Sequence, residues 1–216
     1  MFSTIKQSYK PKYLVITPLK PGDKISKETK ETIKRNKLPF DWVSFESDNN
    51  IPTNTTLALQ EYEIKYPVPN YIIKVDNDIN ADRELLDAMY YTLRQTDKNI
   101  GYVYCAFSYI KPDGKKISFG EYFNEQKLLK QNYISSNSMI KRGVLRRVGG
   151  FVTDSKYERL LDWCLWLKML YYGHKGHYLT SKGFTTPLNE GNVSNRGVED
   201  YQLKYKRVIQ DFVSTA

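Results

Sequence analysis

The sequence contains few cysteines and no long apolar segment. Its 216 residues include only 2 cysteines, Cys105 and Cys164. Two thiols so far apart do not make a disulfide framework or a zinc cluster, so we expect both to be reduced and buried. No apolar run approaches the roughly 20 residues of a membrane-spanning helix, and the first residues carry lysines without an apolar signal core. We therefore expect a cytoplasmic protein without a transmembrane segment.

Internal repeats and low-complexity segments are also missing. The composition, 40% hydrophobic, 26% charged and 14% aromatic, is typical of a folded globular protein and excludes disorder. A chain of this length forms one domain with a substantial core and leaves little for a second. We therefore interpret residues 1–216 as a single domain.

The charge of the chain is basic, with 33 Lys and Arg against 24 Asp and Glu, a net charge of +9. Such a surface attracts phosphates of any kind, in nucleic acids, anionic lipids or nucleotide sugars. Many of the basic residues fall on a predicted surface helix near the N-terminus, which favours a simple solvated face. No nucleic-acid motif accompanies the charge, so we expect no nucleic-acid partner. A basic module that binds nucleic acid or acidic glycans remains the non-enzymatic alternative.

Apolar runs at residues 13–17, 42–45 and 71–75 alternate with helical segments that begin at Ser26 and at Thr53 or Asn54. This order predicts an α/β fold with a mainly parallel central sheet flanked by helices, whose ligand crevice lies beyond the carboxyl ends of the strands. The second half is less regular. It predicts a hairpin from 102–110 to 117–119, a polar strand at 131–140, a helix at 141–148 and a C-terminal helix at 198–213, and so a small antiparallel part.

The run 71–75 leads directly into Asp76-Asn77-Asp78. Carboxylates two residues apart on an extended backbone point to the same side and repel each other unless a cation lies between them. Hard oxygen ligands of this kind suit Mg²⁺ or Mn²⁺ together with substrate phosphates. The competing interpretation is a polar turn that closes a strand. A calcium loop does not fit, because Ala81 occupies the position where a glycine makes the sharp turn.

Asp162 lies on a predicted helix and shares a face with Leu165, Trp166 and Met169. Burial on an apolar face raises the pKa of a carboxylate and suits it to act as a general base near neutral pH. The alternative is an aspartate in a first helical turn, where it simply favours the helix dipole. Periodicity alone leaves both interpretations open.

Two further segments contain candidate ligands. His174 and His177 have a spacing that could bind a metal, but no carboxylate lies near them in the sequence, so we expect surface histidines. The polar loop 186–197 contains Arg196, whose guanidinium can meet a phosphate.

Taken in order from residue 12 to residue 200, these segments resemble the inverting GT-A glycosyltransferases of the family-2 type. Asp76-Asn77-Asp78 looks like the family's DXD motif, and Asp48 falls where an acidic residue often contacts the nucleotide base. The remaining similar segments are the first strand with its ending Ile16-Thr17-Pro18, the stretches 136–142 and 148–151, and the helix Leu161-Asp162-Trp163-Cys164-Leu165-Trp166-Leu167.

The resemblance implies a metal-dependent inverting transfer of a sugar from a nucleotide-diphosphate donor, most simply a UDP-sugar, to a hydroxyl acceptor on a glycan or glycoconjugate. It gives Asp162 the place of the catalytic base. It also implies Mn²⁺ or Mg²⁺ held by Asp76, Asp78 and, more weakly, Asn189. The implied donor-nucleotide residues are Thr17, Pro18, Asp48, Asp76 and Arg196. The nucleotide-binding half would span about residues 1–110, the acceptor-binding half about 111–197, and the C-terminal helix about 198–213.

The sequence departs from the family pattern in three places. Leu161 replaces a glutamate before the base, Asn189 replaces a histidine that would be a third metal ligand, and Ser47 replaces one of two acidic residues after the second strand. The Gln-x-x-Arg-Trp motif and membrane helices of processive polysaccharide synthases are missing, which predicts a single-transfer enzyme. The compact chain also resembles glycosyltransferase domains carried by some viruses, and it could belong to a longer protein.

An alternative enzyme class is the sugar-1-phosphate nucleotidyltransferases, whose fold also places a metal-binding carboxylate at a strand end. That class uses a glycine-rich phosphate loop after the first strand. Residues 18–22, Pro-Leu-Lys-Pro-Gly, are a poor match to such a loop. The sugar and the acceptor depend on loops at 111–136 and 151–160, which no motif defines.

Overall fold

The computed structural model describes residues 2–6, 10–187 and 198–213. These residues form a sheet of nine strands that is flanked by helices. The strands are β1 (Phe2–Lys6), β2 (Tyr13–Leu19), β3 (Phe40–Glu46), β4 (Tyr71–Lys74), β5 (Asn80–Ala81), β6 (Ile100–Ile110), β7 (Lys116–Phe119), β8 (Met139–Lys141) and β9 (Lys175–Pro187). The helices are α1 (Lys27–Lys34), α2 (Ile51–Lys65), α3 (Leu85–Gln95), α4 (Glu125–Leu128), α5 (Arg142–Arg147), α6 (Leu161–Tyr171) and α7 (Val198–Val208), which continues as a π-helical turn (Ile209–Val213).

The strand order is β1-β3-β2-β4-β8-β6-β9-β5, with β7 paired to β6. The pairings give β2, β3, β4, β6 and β9 one common direction, whereas β1, β5, β7 and β8 run against them. The α/β prediction with parallel strands at its centre is therefore confirmed. Because the five parallel strands end at the same edge of the sheet, their following loops and the loop that enters β8 meet there.

The sheet is buried on both faces because most residues of its central strands are apolar. In β2 the whole run from Tyr13 to Leu19 is buried, the pattern of a parallel strand covered by helices on both sides. Leu14, Ile16 and Ile72 belong to the core that includes residues of α2 and α6. Val15 and Ile73 belong to the opposite core, which includes residues of α1 and α3.

The first two helices begin with side-chain caps. Ser26 caps α1 as predicted, accepting a hydrogen bond from the Thr29 amide at 3.0 Å. Helix α2 begins earlier than predicted, because Asn50 caps it by accepting from the Thr53 amide at 2.9 Å. Asn54 is not a cap. Its buried amide donates to the carbonyls of Leu19 and Ser47, and so ties the ends of β2 and β3 together.

The polar strand predicted for 131–140 is wrong, since only Met139–Lys141 pair in the sheet. Polar side chains in the preceding loop 131–138 bond the local backbone instead of leaving it to a neighbouring strand. Asn132 accepts from the Ile134 amide at 3.2 Å, and Ser135 accepts from the Asn137 amide at 3.2 Å. The hydroxyl of Ser138 donates to the Ser135 carbonyl at 2.6 Å. This loop proves to be important for the site.

The prediction of two surface histidines holds for His177 and is wrong for His174, which is only 6% exposed. Burial lowers the pKa of His174 below its usual value, and the charges of Arg147 and Lys141 lower it further. A turn at Gly173 places His174 at the start of the segment leading into β9, where it packs against Gly101. In the described part of the chain, no helix combines the length and apolar character needed to span a membrane.

Candidate active site

The acidic pair lies just beyond the end of β4, as predicted. The strand stops at Lys74, and Asp78 stands in a turn instead of on extended backbone. The two carboxylates still interact: burial raises the pKa of Asp78 above its usual value, and the negative charge of Asp76 raises it further. The hydroxyl of Thr186, near the end of β9, lowers the same pKa by hydrogen bonding. Asp78, which follows β4, is therefore in contact with the end of β9.

Asp76 is held by two side chains. The ammonium group of Lys74 forms an ion pair with its Oδ1. Asn137, in loop 131–138, donates its amide to Oδ2 at 2.9 Å and accepts from the Asp76 backbone amide at 2.9 Å. The Lys74 side chain is only 11% exposed, so this ion pair is largely shielded from water. Both carboxylate oxygens of Asp76 thus have a defined donor and a fixed direction.

Asp162 lies in the first turn of α6, among buried neighbours that include Trp163, Leu165 and Trp166. Its Oδ2 accepts from the Asn132 amide at 3.0 Å, and its Oδ1 accepts from the Trp163 backbone amide at 2.9 Å. Burial raises the pKa of Asp162; the two hydrogen bonds and the charge of Lys74 act in the opposite direction. The expected combination of an apolar surrounding and a raised pKa is therefore present, although Asp162 also occupies the first turn.

Lys74 and loop 131–138 join the two parts of the site. The charge of Lys74 lowers the pKa of both Asp78 and Asp162, which places its ammonium group within electrostatic reach of both. The loop supplies Asn132 to Asp162 and Asn137 to Asp76. Sequence reasoning assigned no role to Lys74, Asn132 or Asn137. A lysine two residues before Asp76 on the same side of a strand was a usable signal, whereas the two asparagines fell in a segment mispredicted as a strand.

The predicted donor-nucleotide residues occupy different environments at the carboxyl edge. Thr17 is fully buried and accepts from the indole of Trp42 at 3.0 Å, and Pro18 is buried beside it. Asp48 is exposed after β3, and its carbonyl accepts from the Lys20 ammonium at 3.0 Å. Thr17 and Pro18 therefore belong to the floor of this edge, while Asp48 stands at its surface. Asn189 and Arg196 lie outside the described residues.

The loop between β2 and α1 lies beside the acidic pair. The backbone amide of Ser26 donates to the carbonyl of Asn77 at 2.8 Å. Gly22, at φ +82° where a side chain would be strained, turns this loop back toward β3. The loop thus lies between the exposed Asp48 and the acidic pair.

The donor chemistry of the pair fits a hard divalent cation. Asp76 and Asp78 offer carboxylate oxygens. Burial raises the pKa of Asp78 and the charge of Asp76 raises it further, and a cation between the two carboxylates would relieve that repulsion. Within residues 2–6, 10–187 and 198–213, no three His, Cys, Asp or Glu side chains converge on one point. The pair therefore matches Mg²⁺ or Mn²⁺ of the kind that one or two carboxylates and substrate phosphates hold together.

The fold of this chain is similar to that of several proteins of known structure. No protein-family model and no curated protein sequence matches the chain. Among solved structures, S. aureus TarS residues 1–349 in complex with UDP matches with a TM-score of 0.56 and 15% identity over 92% of this chain. The mannosyltransferase PcManGT from Pyrobaculum calidifontis, in complex with GDP-Man and Mn²⁺, matches with a TM-score of 0.58 and 13% identity over 96% of this chain. The chain has the GT-A fold of these glycosyltransferases.

The complex of TarS 1–349 with UDP-GlcNAc gives a TM-score of 0.58 at 14% identity. In the first two structures the match covers 64% of the other protein, so this chain spans about two thirds of their length. At such identities the likeness concerns the fold. Asp76 and Asp78 lie beyond the carboxyl end of β4, at the edge where open α/β sheets bind their ligands.

Proposed function

We propose that the protein is a metal-dependent, inverting glycosyltransferase that moves a sugar from a nucleotide-diphosphate donor, a UDP-sugar, to a hydroxyl of a glycan or glycoconjugate. One observation carries the proposal: in a GT-A fold, loop 131–138 holds Asp76 of the acidic pair with one asparagine and the half-buried Asp162 with another. The solved complexes of similar fold with UDP, UDP-GlcNAc and GDP-Man support a nucleotide-sugar donor.

The donor would lie across the carboxyl ends of β2, β3 and β4. Asp48 would contact the base or ribose, while Thr17 and Pro18 shape the floor below it. Asp76 and Asp78 would hold Mn²⁺ or Mg²⁺, with Asn189 as a further ligand, and Arg196 would add positive charge near the diphosphate. A bound divalent ion supplies charge neutralisation for the leaving nucleoside diphosphate without any proton transfer.

Asp162 would act on the acceptor. Its carboxylate takes the proton of the acceptor hydroxyl, whose oxygen attacks the anomeric carbon as the bond to the diphosphate breaks, so the configuration inverts. Asn132 and the Trp163 amide orient the carboxylate for this transfer. Its raised pKa makes it a stronger proton acceptor than a solvent-exposed aspartate, provided that the pH keeps it ionised.

The acidic pair is tested by Asp78→Ala. We expect this change to abolish metal-dependent UDP binding, because it leaves a single carboxylate, Asp76, whose charge Lys74 already balances, to hold the divalent ion. Isothermal titration of UDP with and without Mn²⁺ measures the effect. Asp113→Ala, in the exposed turn between β6 and β7, is the matched control and should bind like the original protein.

Three results would contradict the proposal. Unchanged Mn²⁺-dependent UDP binding in Asp78→Ala would show that the acidic pair does not hold the metal ion. Salt-sensitive binding of nucleic acid that survives Asp76→Ala would favour the basic binding module instead. Consumption of UTP and a sugar 1-phosphate with release of pyrophosphate, in place of release of UDP from UDP-sugars, would indicate a nucleotidyltransferase.

A further inference from the structure

The face of the sheet that carries Lys74 continues beyond the proposed reaction centre. Strands β4, β8 and β6 are in register at Ile73, Met139 and Val103. Lys74 follows Ile73 in β4, and Tyr104 follows Val103 in β6. Because successive side chains of a strand alternate between the two faces of the sheet, Lys74 and Tyr104 both lie on the face opposite to Ile73, Met139 and Val103. Since neighbouring strands lie about 4.8 Å apart, Tyr104 stands about 10 Å from the strand that carries Lys74.

A series of tyrosine side chains continues from Tyr104 across the sheet to the protein surface. Tyr104 pairs with Tyr178 on β9, the next strand, about 14 Å from β4. The ring centroids of Tyr104 and Tyr178 lie 5.4 Å apart, and those of Tyr178 and Tyr122 lie 5.6 Å apart. Tyr133 joins from the other side, 6.3 Å from Tyr104. We call Tyr133, Tyr104, Tyr178 and Tyr122 the tyrosine row; its last ring, Tyr122, is 73% exposed.

The segment that presents Tyr122 is fixed on both sides. The hydroxyl of Tyr104 donates to the carbonyl of Glu121 at 3.0 Å. Tyr133 accepts from the Asn124 amide at 2.7 Å and donates to the Asn124 carbonyl at 3.1 Å. Before Tyr122, Gly120 lies so close to the Tyr178 hydroxyl that a Cβ there would stand 2.2 Å from it. The exposed ring is therefore preorganised, which lowers the entropic cost of using it for binding.

The tyrosine row begins at the candidate base. Tyr133 directly follows Asn132, whose amide lies 3.0 Å from Asp162. At the far end, Glu121 next to Tyr122 forms an ion pair with Lys127 at 2.5 Å, so charged hydrogen-bonding groups flank the exposed ring. Aromatic faces beside such groups suit a ligand with apolar C–H faces and many hydroxyls, which is the chemistry of a sugar.

We propose that the exposed end of the tyrosine row, Tyr122 with the half-buried Tyr178 behind it, is an acceptor subsite for an oligosaccharide, in which Tyr122 stacks on a sugar unit remote from the hydroxyl that reaches Asp162. Tyr104 is only 1% exposed and supports this end of the row from the core. The assignment of the reactive end rests on the function proposed above. The span from β4 to β9 exceeds the reach of one sugar ring, so the acceptor is a glycan of several units. A monosaccharide would reach only one end of the row.

The test compares Tyr122→Ala with a matched control, Tyr171→Ala. Tyr171, at the end of α6, is 69% exposed and makes an edge contact with Tyr172 at the same 5.6 Å centroid distance, but it lies outside the row. Saturation-transfer NMR would measure binding of maltotriose, cellotriose and chitotriose and of the corresponding monosaccharides. We expect at least one trisaccharide to bind more tightly than its monosaccharide, and Tyr122→Ala to weaken it roughly tenfold.

Two further measurements complete the design. Tyr122→Phe keeps the ring and should remain within roughly threefold of the original affinity. Binding of none of the trisaccharides, or equal losses in Tyr122→Ala and Tyr171→Ala, would overturn the subsite. Titration of UDP with Mn²⁺ on the same variants should give unchanged affinity. Its failure in the unmodified protein would refute the donor site while leaving glycan binding to be judged separately.

Discussion

Asp76 and Asp162, two of the three carboxylates of the site, differ in how their charge is compensated. Asp76 has an ammonium group on one oxygen and an amide on the other. Asp162 is half-buried among apolar neighbours and has two neutral N–H donors, and its pKa is raised. The same loop orients both through an asparagine. Environment thus separates two like side chains: Asp76 is paired with a cation, whereas Asp162 has only neutral donors on its oxygens and a raised pKa.

The largest expected effect is on the base. Asp162→Asn keeps the shape and one acceptor oxygen but removes the proton acceptor, so transfer should fall by roughly a hundredfold or more while UDP binding survives. Turnover of a UDP-sugar and calorimetry of UDP measure the two quantities. Near-normal turnover would show that Asp162 is not the base, and the proposed difference in role between Asp162 and Asp76 would be wrong.

Lys74→Met should have the next largest effect. It leaves the Asp76 charge without its cation, which should lower the free energy of unfolding by about 2 kcal/mol and transfer by roughly tenfold. Because Lys74 also lowers the pKa of Asp162, the acid limb of the pH–rate profile should move to higher pH. Lys74→Arg, which keeps a charge, is the control. A limb that stays in place in Lys74→Met would show that the two positions are electrostatically independent.

The smallest expected effects are those of substituting Asn132 and Asn137, and the two substitutions should affect different properties. Asn132→Ala removes a hydrogen bond that lowers the pKa of Asp162. A general base must be ionised, so activity is lost as the pH falls through the pKa of Asp162. The variant should have a still higher pKa at Asp162 and should therefore lose activity at a higher pH. Turnover should fall roughly threefold. Asn137→Ala should leave this acid limb unchanged and weaken Mn²⁺-dependent UDP binding instead. Identical pH profiles in both variants would contradict the division of roles.

Much of the fold in the first half of the chain follows from local sequence. The apolar run of β2 and the Ser26 cap each satisfy a rule that involves only neighbouring residues. Loop 131–138 does not, because its serines and asparagines are compatible with a strand until their side chains bond the local backbone. His174 was misplaced for a similar reason, since its burial depends on packing against Gly101 from another strand.

The α/β class, the acidic pair after β4 and the apolar face around Asp162 could all be predicted from residue spacing, because each depends on one element of the chain. The surroundings of those carboxylates could not, because they come from distant parts of the sequence. Lys74 comes from β4, Asn132 and Asn137 from a loop some 60 residues further on, and Asp162 from α6. Charge compensation and burial act through space, so they appear only once the sheet brings these segments to one edge.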